Sequence, residues 1–415
     1  MAMVKKPVTG MKDILPAEMQ IRDYVIGLIK ETYKSFGFTP IETPCVEHIE
    51  NLCSKQGGDN EKLIFKILKR GEKLRLDTAE TEQDLVDGGL RYDLTVPLSR
   101  YYSNNSNQLP TPFKALQIGP VWRADRPQKG RFRQFYQCDI DILGDPTCLA
   151  EIELITATTT LLGKLFDNFK VRINDRGILK AMAAYSGFSE DSYDKIFIIL
   201  DKMDKIGLEG VKAELLESGY AAESVEKYLD LFAKLETEAD PVDWLRNELG
   251  DFLPAATAES ISTIMNSVKK TQYKPYEVAF DPTLVRGMSY YTGTIFEIEM
   301  PDFGSSVGGG GRYDKMIGKF TGKETCACGF SIGFERIVML LMEHNFQIPG
   351  QSEKIAYLVE KNMPADKLAD IMQEAAEERA QGKCVLVVTM NKNKKFQKEQ
   401  LSKEGYENFR EFFRR

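Results

Sequence analysis

Apolar positions recur along this chain in two rhythms, and the changes between them mark out its elements. Residues 16–36 open on Pro16 and set Ile21, Val25, Leu28 and Tyr33 near helical spacing, which predicts a helix lying on something. GFTPIETP (37–44) reads as a strand bounded by Gly and Pro. The stretch 62–96 alternates short apolar segments with charges, as antiparallel hairpins do. Residues 114–144 read as two alternating strands joined by a long basic loop, and helical spacing returns over 149–168. The segment 177–272 is rich in Lys, Glu, Leu and Ala and reads as a helical insertion. Strand character resumes at YEVAF (276–280), TIFEIEM (294–300) and SSVGG (305–309), followed by a helix over 333–344. Beyond the Pro349-Gly350 break, KIAYLVE, a helix over 365–381 and KCVLVVTM form a small βαβ-like tail, which runs into a Lys-rich end.

Composition narrows the classes. A chain of 415 residues, 42% apolar and 28% charged, is an ordinary globular protein of two or three domains. Its 55 basic and 62 acidic residues leave a formal charge of −7, which argues against a surface coated in positive charge for blanket nucleic-acid or membrane binding. Only His48 and His344 are present, so histidine-rich metal sites and His-based triads are disfavoured. The seven cysteines have no disulfide-like spacing, and the Cys326/Cys328 pair is too close for a CxxC knuckle. No apolar h-region follows the N-terminal residues, and LITATTTLLG (154–163) and CACGFSIGF (326–334) fall short of a membrane span. A cytoplasmic, reducing location is expected.

Three segments carry candidate chemistry. Between positions 123 and 133 stand Arg123, Arg126, Lys129, Arg131 and Arg133 against one acid, Asp125. Converging guanidiniums suit a polyphosphate, through bidentate bonds and charge neutralisation; a solvated hairpin turn would read the same. TLVRGMSYYTGTIFEIE (283–299) sets Arg286 and two adjacent tyrosines, Tyr290 and Tyr291, before a strand, so that one ring could line a pocket. The four glycines Gly308–Gly311 of SSVGGGGRYDK sit where backbone must approach something closely, yet neither a P-loop nor GxGxxG is present. Arg336 then opens the helix after CACGFSIGFE.

Together these segments resemble a known family. RADRPQKGRFRQFYQCDIDILG is similar to motif 2 of class II aminoacyl-tRNA synthetases and GFSIGFERIVML to motif 3. RYDLTVPLSRYY (91–102) and LVRGMSYYTGTIFE (284–297) resemble the two histidine-site signatures of histidyl-tRNA synthetases, and GMKDILPAEM resembles their opening. The resemblance implies an α+β fold: an antiparallel six-stranded class II catalytic sheet with flanking helices, a helical insertion, and a small, shortened α/β C-terminal domain. The corresponding division is a core over 1–176 and 273–347, an insertion over 177–272, and an anticodon-binding-like domain over 353–415.

The activity implied is ligation of L-histidine to tRNA-His through a histidyl-adenylate, with ATP as substrate, Mg2+ accompanying it, and a homodimeric assembly. Arg123 matches the residue that holds the α-phosphate and the amino-acid carboxylate, and Arg286 the one approaching the α-phosphate from the other side. Arg133 and Arg336 match positions around the β- and γ-phosphates, and Phe135 the ring on adenine. Asp125 stands where many relatives have Glu. Asp93 and Thr95 match positions near the α-amino group; Gln137 and Asp141, with Tyr290 and Tyr291, match the imidazole pocket. Ser289 departs from the family's common Asp. A non-catalytic paralogue, the regulatory subunit of ATP phosphoribosyltransferase, is the alternative, and the short tail points that way. Residues 390–415 hold eight Lys/Arg and four Asp/Glu interleaved with Phe396, Tyr406, Phe409, Phe412 and Phe413. That mixture suits single-stranded RNA, or equally a last amphipathic helix with buried rings and solvated lysines.

Overall fold

A computed structural model describes residues 3–53, 60–285, 291–301 and 304–415. The chain opens with α1 (Pro16–Ser35), then β1 (Thr39–Ile41), β2 (Val46–His48), α2 (Ile49–Leu52), β3 (Lys66–Leu68), β4 (Val86–Leu90) and α3 (Thr95–Asn105). Two ten-residue strands follow, β5 (Phe113–Trp122) and β6 (Gln134–Leu143), then α4 (Leu149–Gly163) and β7 (Lys170–Asp175). Six helices come next: α5 (Arg176–Tyr185), α6 (Tyr193–Leu200), α7 (Met203–Glu217), α8 (Ala222–Leu235), α9 (Pro241–Leu249) and α10 (Ala255–Lys270). After them run β8 (Glu277–Phe280), β9 (Thr294–Met300), β10 (Ser305–Arg312), α11 (Asp314–Thr321), β11 (Ala327–Ile332) and α12 (Phe334–Glu343). The chain finishes with β12 (Lys354–Val359), α13 (Ala365–Ala380), β13 (Cys384–Thr389), α14 (Lys394–Lys403) and β14 (Asn408–Phe412).

Among the described residues the main sheet has the order β1-β5-β6-β11-β10-β9-β7-β8. Its middle six strands are antiparallel throughout, the class II arrangement; β1 joins β5 and β8 joins β7 in parallel at the two edges. One face is apolar: Cys138, Ile140 and Ile142 of β6 alternate inward and are at most 2% exposed. Helix α4 packs against β6 and β11. Its Thr158 meets the hydroxyl of Tyr33 from α1, both fully buried. Strands β2, β4 and β3 form a small antiparallel sheet over a cluster of Ile49, Leu52, Ile64, Val86, Tyr92 and Val96. Contacts divide the chain into two compact units, Met1–Asp13 with Val25–Leu341, and Ile14–Tyr24 with Met342–Arg415.

In the second unit β13, β12 and β14 form a parallel sheet over Ile355, Tyr357, Val359, Ile371, Ala375 and Val385. The tail therefore goes beyond the expected βαβ: a third strand pairs with β12, and its Phe412 ring packs 4.9 Å from Tyr357. Helix α14 has no buried residue, and its Phe396 stays 54% exposed, so the reading of a last helix with buried rings does not hold for it. The half-burial of Phe412 needs the pairing of β14 with β12, a contact about 50 residues apart that local spacing does not carry.

Candidate active site

The site is built on the second face of the main sheet. A strand's side chains alternate, so Phe135, Gln137, Asp139 and Asp141 of β6 all point to one side. Their register neighbours there are Gln117 on β5 and Ser331 and Gly329 on β11. Polar groups this deep need partners. The hydroxyl of Tyr313 donates to Asp141 Oδ1 at 2.5 Å, and Gln137 Nε2 donates to Ser331 Oγ at 3.2 Å. Gln117 accepts from Thr43 Oγ1 at 3.1 Å and donates to the Leu94 carbonyl at 3.1 Å.

The basic loop after β5 folds over one end of this face. The Arg123 N–H donates to the Arg133 carbonyl at 2.9 Å and closes the loop. The guanidinium of Arg123 lies 5.2 Å over the Phe135 ring, and its Nε donates to the Tyr92 carbonyl at 2.9 Å. Arg133 Nε donates to the carbonyl of Asp125 at 3.0 Å, and its N–H to the carbonyl of Gly10 at 2.8 Å. Gly10 has φ +83°, and a Cβ there would stand 2.7 Å from Arg133 Cγ, so the opening segment is pressed against this arginine. On the other side the buried Arg91 donates to Thr43 and Pro120 carbonyls, fixing the turn that carries Asp93. Asp93 Oδ1 accepts from the Val96 N–H at 3.1 Å beside the start of α3, where Thr95 is the first residue.

Three buried carboxyls line this floor, and Arg123 acts on two of them, Asp93 and Asp139. Burial raises Asp93 above the ordinary range, with Arg123 pulling it back. Burial pushes Asp141 up to about 7 against the Tyr313 hydrogen bond. Asp139 is raised well above the ordinary range, by burial first and then by the Asp141 charge. Buried carboxyls whose charge is costly when unpaired are suited to accept cationic or donor-rich groups.

Arg336, at the start of α12, donates to the Ser306 carbonyl at the head of β10. Its neighbour Glu335 accepts from the Tyr136 N–H at 3.0 Å, which ties α12 to β6. The glycines of β10 are tightly approached: a Cβ at Gly311 would stand 2.9 Å from Tyr291 Cδ1, placing that ring over the strand. Arg286, Ser289 and Tyr290 lie outside the described residues.

The structure therefore brings Arg123, Phe135, Gln137 and Asp141 onto one wall, with Asp93 facing Arg123. Arg133 and Asp125 stand together in the loop, and Arg336 is placed at β10. Sequence reading passed over Asp139, although the alternation Gln137-x-Asp139-x-Asp141 carries its signal. It also passed over Tyr313 and over a buried pair, in which Arg312 Nε and Nη2 donate to Glu151 Oε1 and Oε2 at 2.7 Å each. No local pattern joins positions 161 residues apart. Among the described residues no group of three His, Cys, Asp or Glu could hold a metal ion, and no helix is long and apolar enough to cross a membrane.

Comparison with known proteins gives a consistent result. Residues 10–337 match the family model described as Histidyl-tRNA synthetase. A histidine–tRNA ligase of Leifsonia xyli subsp. xyli (strain CTCB07) is 43% identical over 417 residues, covering 97% of this chain and 94% of that protein. The histidyl-tRNA synthetase of Nostoc sp. PCC 7120 superposes with a TM-score of 0.78 at 25% identity, covering 97% of this chain and 90% of that one. A Bacillus halodurans protein described as an ATP phosphoribosyltransferase regulatory subunit/histidyl-tRNA synthetase shares the fold, with a TM-score of 0.78 at 20% identity over 99% of both chains.

Proposed function

The chain belongs to the histidyl-tRNA synthetase family, and from that premise we infer that it is an aminoacyl-tRNA ligase that joins L-histidine to tRNA-His. The observation that carries the reading at this site is the polar wall Gln137–Asp139–Asp141 ending at Arg123 and Phe135, which suits an amino acid lying beside a nucleotide.

In the first step a carboxylate oxygen of histidine attacks the α-phosphorus of ATP, the bond to the bridging oxygen breaks, and pyrophosphate leaves. Arg123 holds both reacting groups, and such positioning supplies about 7–11 kcal/mol of a barrier. Arg286 approaches the α-phosphate from the other side, where a fixed donor is worth about 3–4 kcal/mol. Phe135 takes the adenine ring, and Arg133 and Arg336 take the outer phosphates, with Asp125 in the same loop. Mg2+ travels with the nucleotide as part of the substrate, an ion that keeps several waters and needs only one or two carboxylates. Asp93 and Thr95 receive the α-amino group. A neutral imidazole has one donor and one acceptor nitrogen; Asp141 and Gln137, with Tyr290 and Tyr291, complement both. In the second step the terminal ribose hydroxyl of tRNA attacks the histidyl carbonyl and AMP leaves.

We read residues 1–176 and 273–347 as the catalytic core, 177–272 as its insertion, and 353–415 as the part that meets the anticodon. A homodimer in the cytoplasm is the assembly and place we propose. The paralogue alternative is not favoured, because the 43% identical relative carries the ligase name over 97% of this chain. Histidine-dependent ATP–pyrophosphate exchange followed by charging of tRNA-His tests the reading. Both are expected; exchange without charging, or folded protein that binds histidine with no exchange, refutes it.

A further inference from the structure

We propose that Asp139 is a further substrate-binding residue, receiving the α-ammonium group of histidine together with Asp93 and Thr95; this rests on the functional reading above. Asp139 and Gln137 sit two positions apart on the same face of β6, 5% and 9% exposed. Among the described residues Asp139 Oδ1 and Gln137 Oε1 have no hydrogen-bond partner. Their other polar atoms are occupied: Gln137 Nε2 donates to Ser331 Oγ at 3.2 Å and lies 3.5 Å from Asp139 Oδ2. Buried acceptors are costly to leave unmade, so two on one wall mark a place for a donor from outside.

The amide across the sheet has no donor to give. Gln117, opposite Asp139 on β5, spends both ends on Thr43 and Leu94. Charge narrows the donor further. The groups that act electrostatically on Asp139 are Asp141 from its own strand, Asp93 from the turn before α3, and Arg123 after β5. Among the described residues, two further acids against one guanidinium leave Asp139 short of positive charge. Once Arg123 takes the carboxylate, the ammonium is the cation that a histidine with neutral imidazole still carries. It has three N–H donors, enough to meet Asp139, Asp93 and Thr95 together.

The test uses the full chain and two analogues in titration calorimetry. Histidinol keeps the ammonium and imidazole, whereas imidazolepropionate lacks the ammonium. Asp139→Asn keeps the shape and the Ser331 neighbour while removing the charge. It is expected to weaken histidinol at least about tenfold and to change imidazolepropionate by less than about twofold. Equal loss for both analogues, as a structural role or an imidazole contact would give, overturns the proposal, and so does no loss for either. Asp139→Ser, smaller and neutral, is read in the same way where Asp139→Asn fails to fold. A wild-type chain that binds neither histidine nor either analogue overturns the functional reading itself. One that binds histidine but shows no split in the variant overturns this inference alone.

Discussion

The Arg312–Glu151 pair ties the last residue of β10 to the first turn of α4, and its removal should cost far more than that of an exposed pair. Its side chains are 12% and 2% exposed, and the bond is bidentate at 2.7 Å on each arm. Arg312 also donates to the carbonyls of Asp145 at 3.1 Å and Thr147 at 2.8 Å. Glu151→Ala leaves that guanidinium buried, with only those carbonyls and Asp314, 3.5 Å away. Breaking a buried pair on one side costs about 3–5 kcal/mol, and an acid in the first turn of a helix adds up to about 1 kcal/mol against the helix dipole. Replacing both partners by apolar groups avoids the stranded charge. The double variant Glu151→Leu/Arg312→Met is therefore expected to be more stable than either single variant. Urea unfolding followed by the fluorescence of the two tryptophans, Trp122 at the end of β5 and Trp244 in α9, measures this cycle. Single variants that lose less than about 1 kcal/mol, as an exposed pair would, refute the reasoning, as would a double variant whose loss is the sum of the two.

Three further predictions concern the site. Asp141 carries a carboxyl raised to about 7 from an ordinary 3.8, so its contribution to stability is present below about pH 4 and is lost as pH rises through 7. That loss amounts to about 4 kcal/mol; Asp141→Asn should gain on the wild type by that order between pH 4 and 7 in denaturant titrations, and parallel profiles would disprove it. In Gly329→Ala the new Cβ would collide with Asp141 Oδ1 and stand 3.1 Å from Tyr313 Cε1. Its KM for histidine in pyrophosphate exchange should rise at least about tenfold, the equivalent of losing one hydrogen bond to a charged group; an unchanged KM would show that Asp141 is not where the amino acid binds. Gly10→Ala strains a left-handed backbone and pushes on Arg133, so KM should rise for ATP and not for histidine; the reverse order would contradict the assignment of Arg133 to the phosphates.

The two alternating segments of β5 and β6, the basic loop between them, and the helical run from 176 to 270 follow from local spacing, because a strand or helix face shows itself in the residues that must be buried. Gln137 and Asp141 were legible only through the resemblance to a family motif, and the alternation of β6 sets both on one wall. It gave no hint that Arg123 would lie over Phe135, since that contact depends on how the loop folds back, fixed by the Arg133 and Tyr92 carbonyls.

Net charge was the least informative quantity: −7 overall conceals the loop at 123–133, where five cations face one acid. By itself, then, the sequence determined the element types, the candidate residues and their resemblance to one family, all of which depend on neighbours within a few turns or a fixed motif. Tertiary structure decided what came from distant partners. It added parallel strands at both edges of the six-stranded sheet, completed the small C-terminal sheet with β14, and paired Arg312 with Glu151. It also left Asp139 buried with an open oxygen. Burial is set by the strands on either side, and a residue's own neighbours along the chain cannot report them.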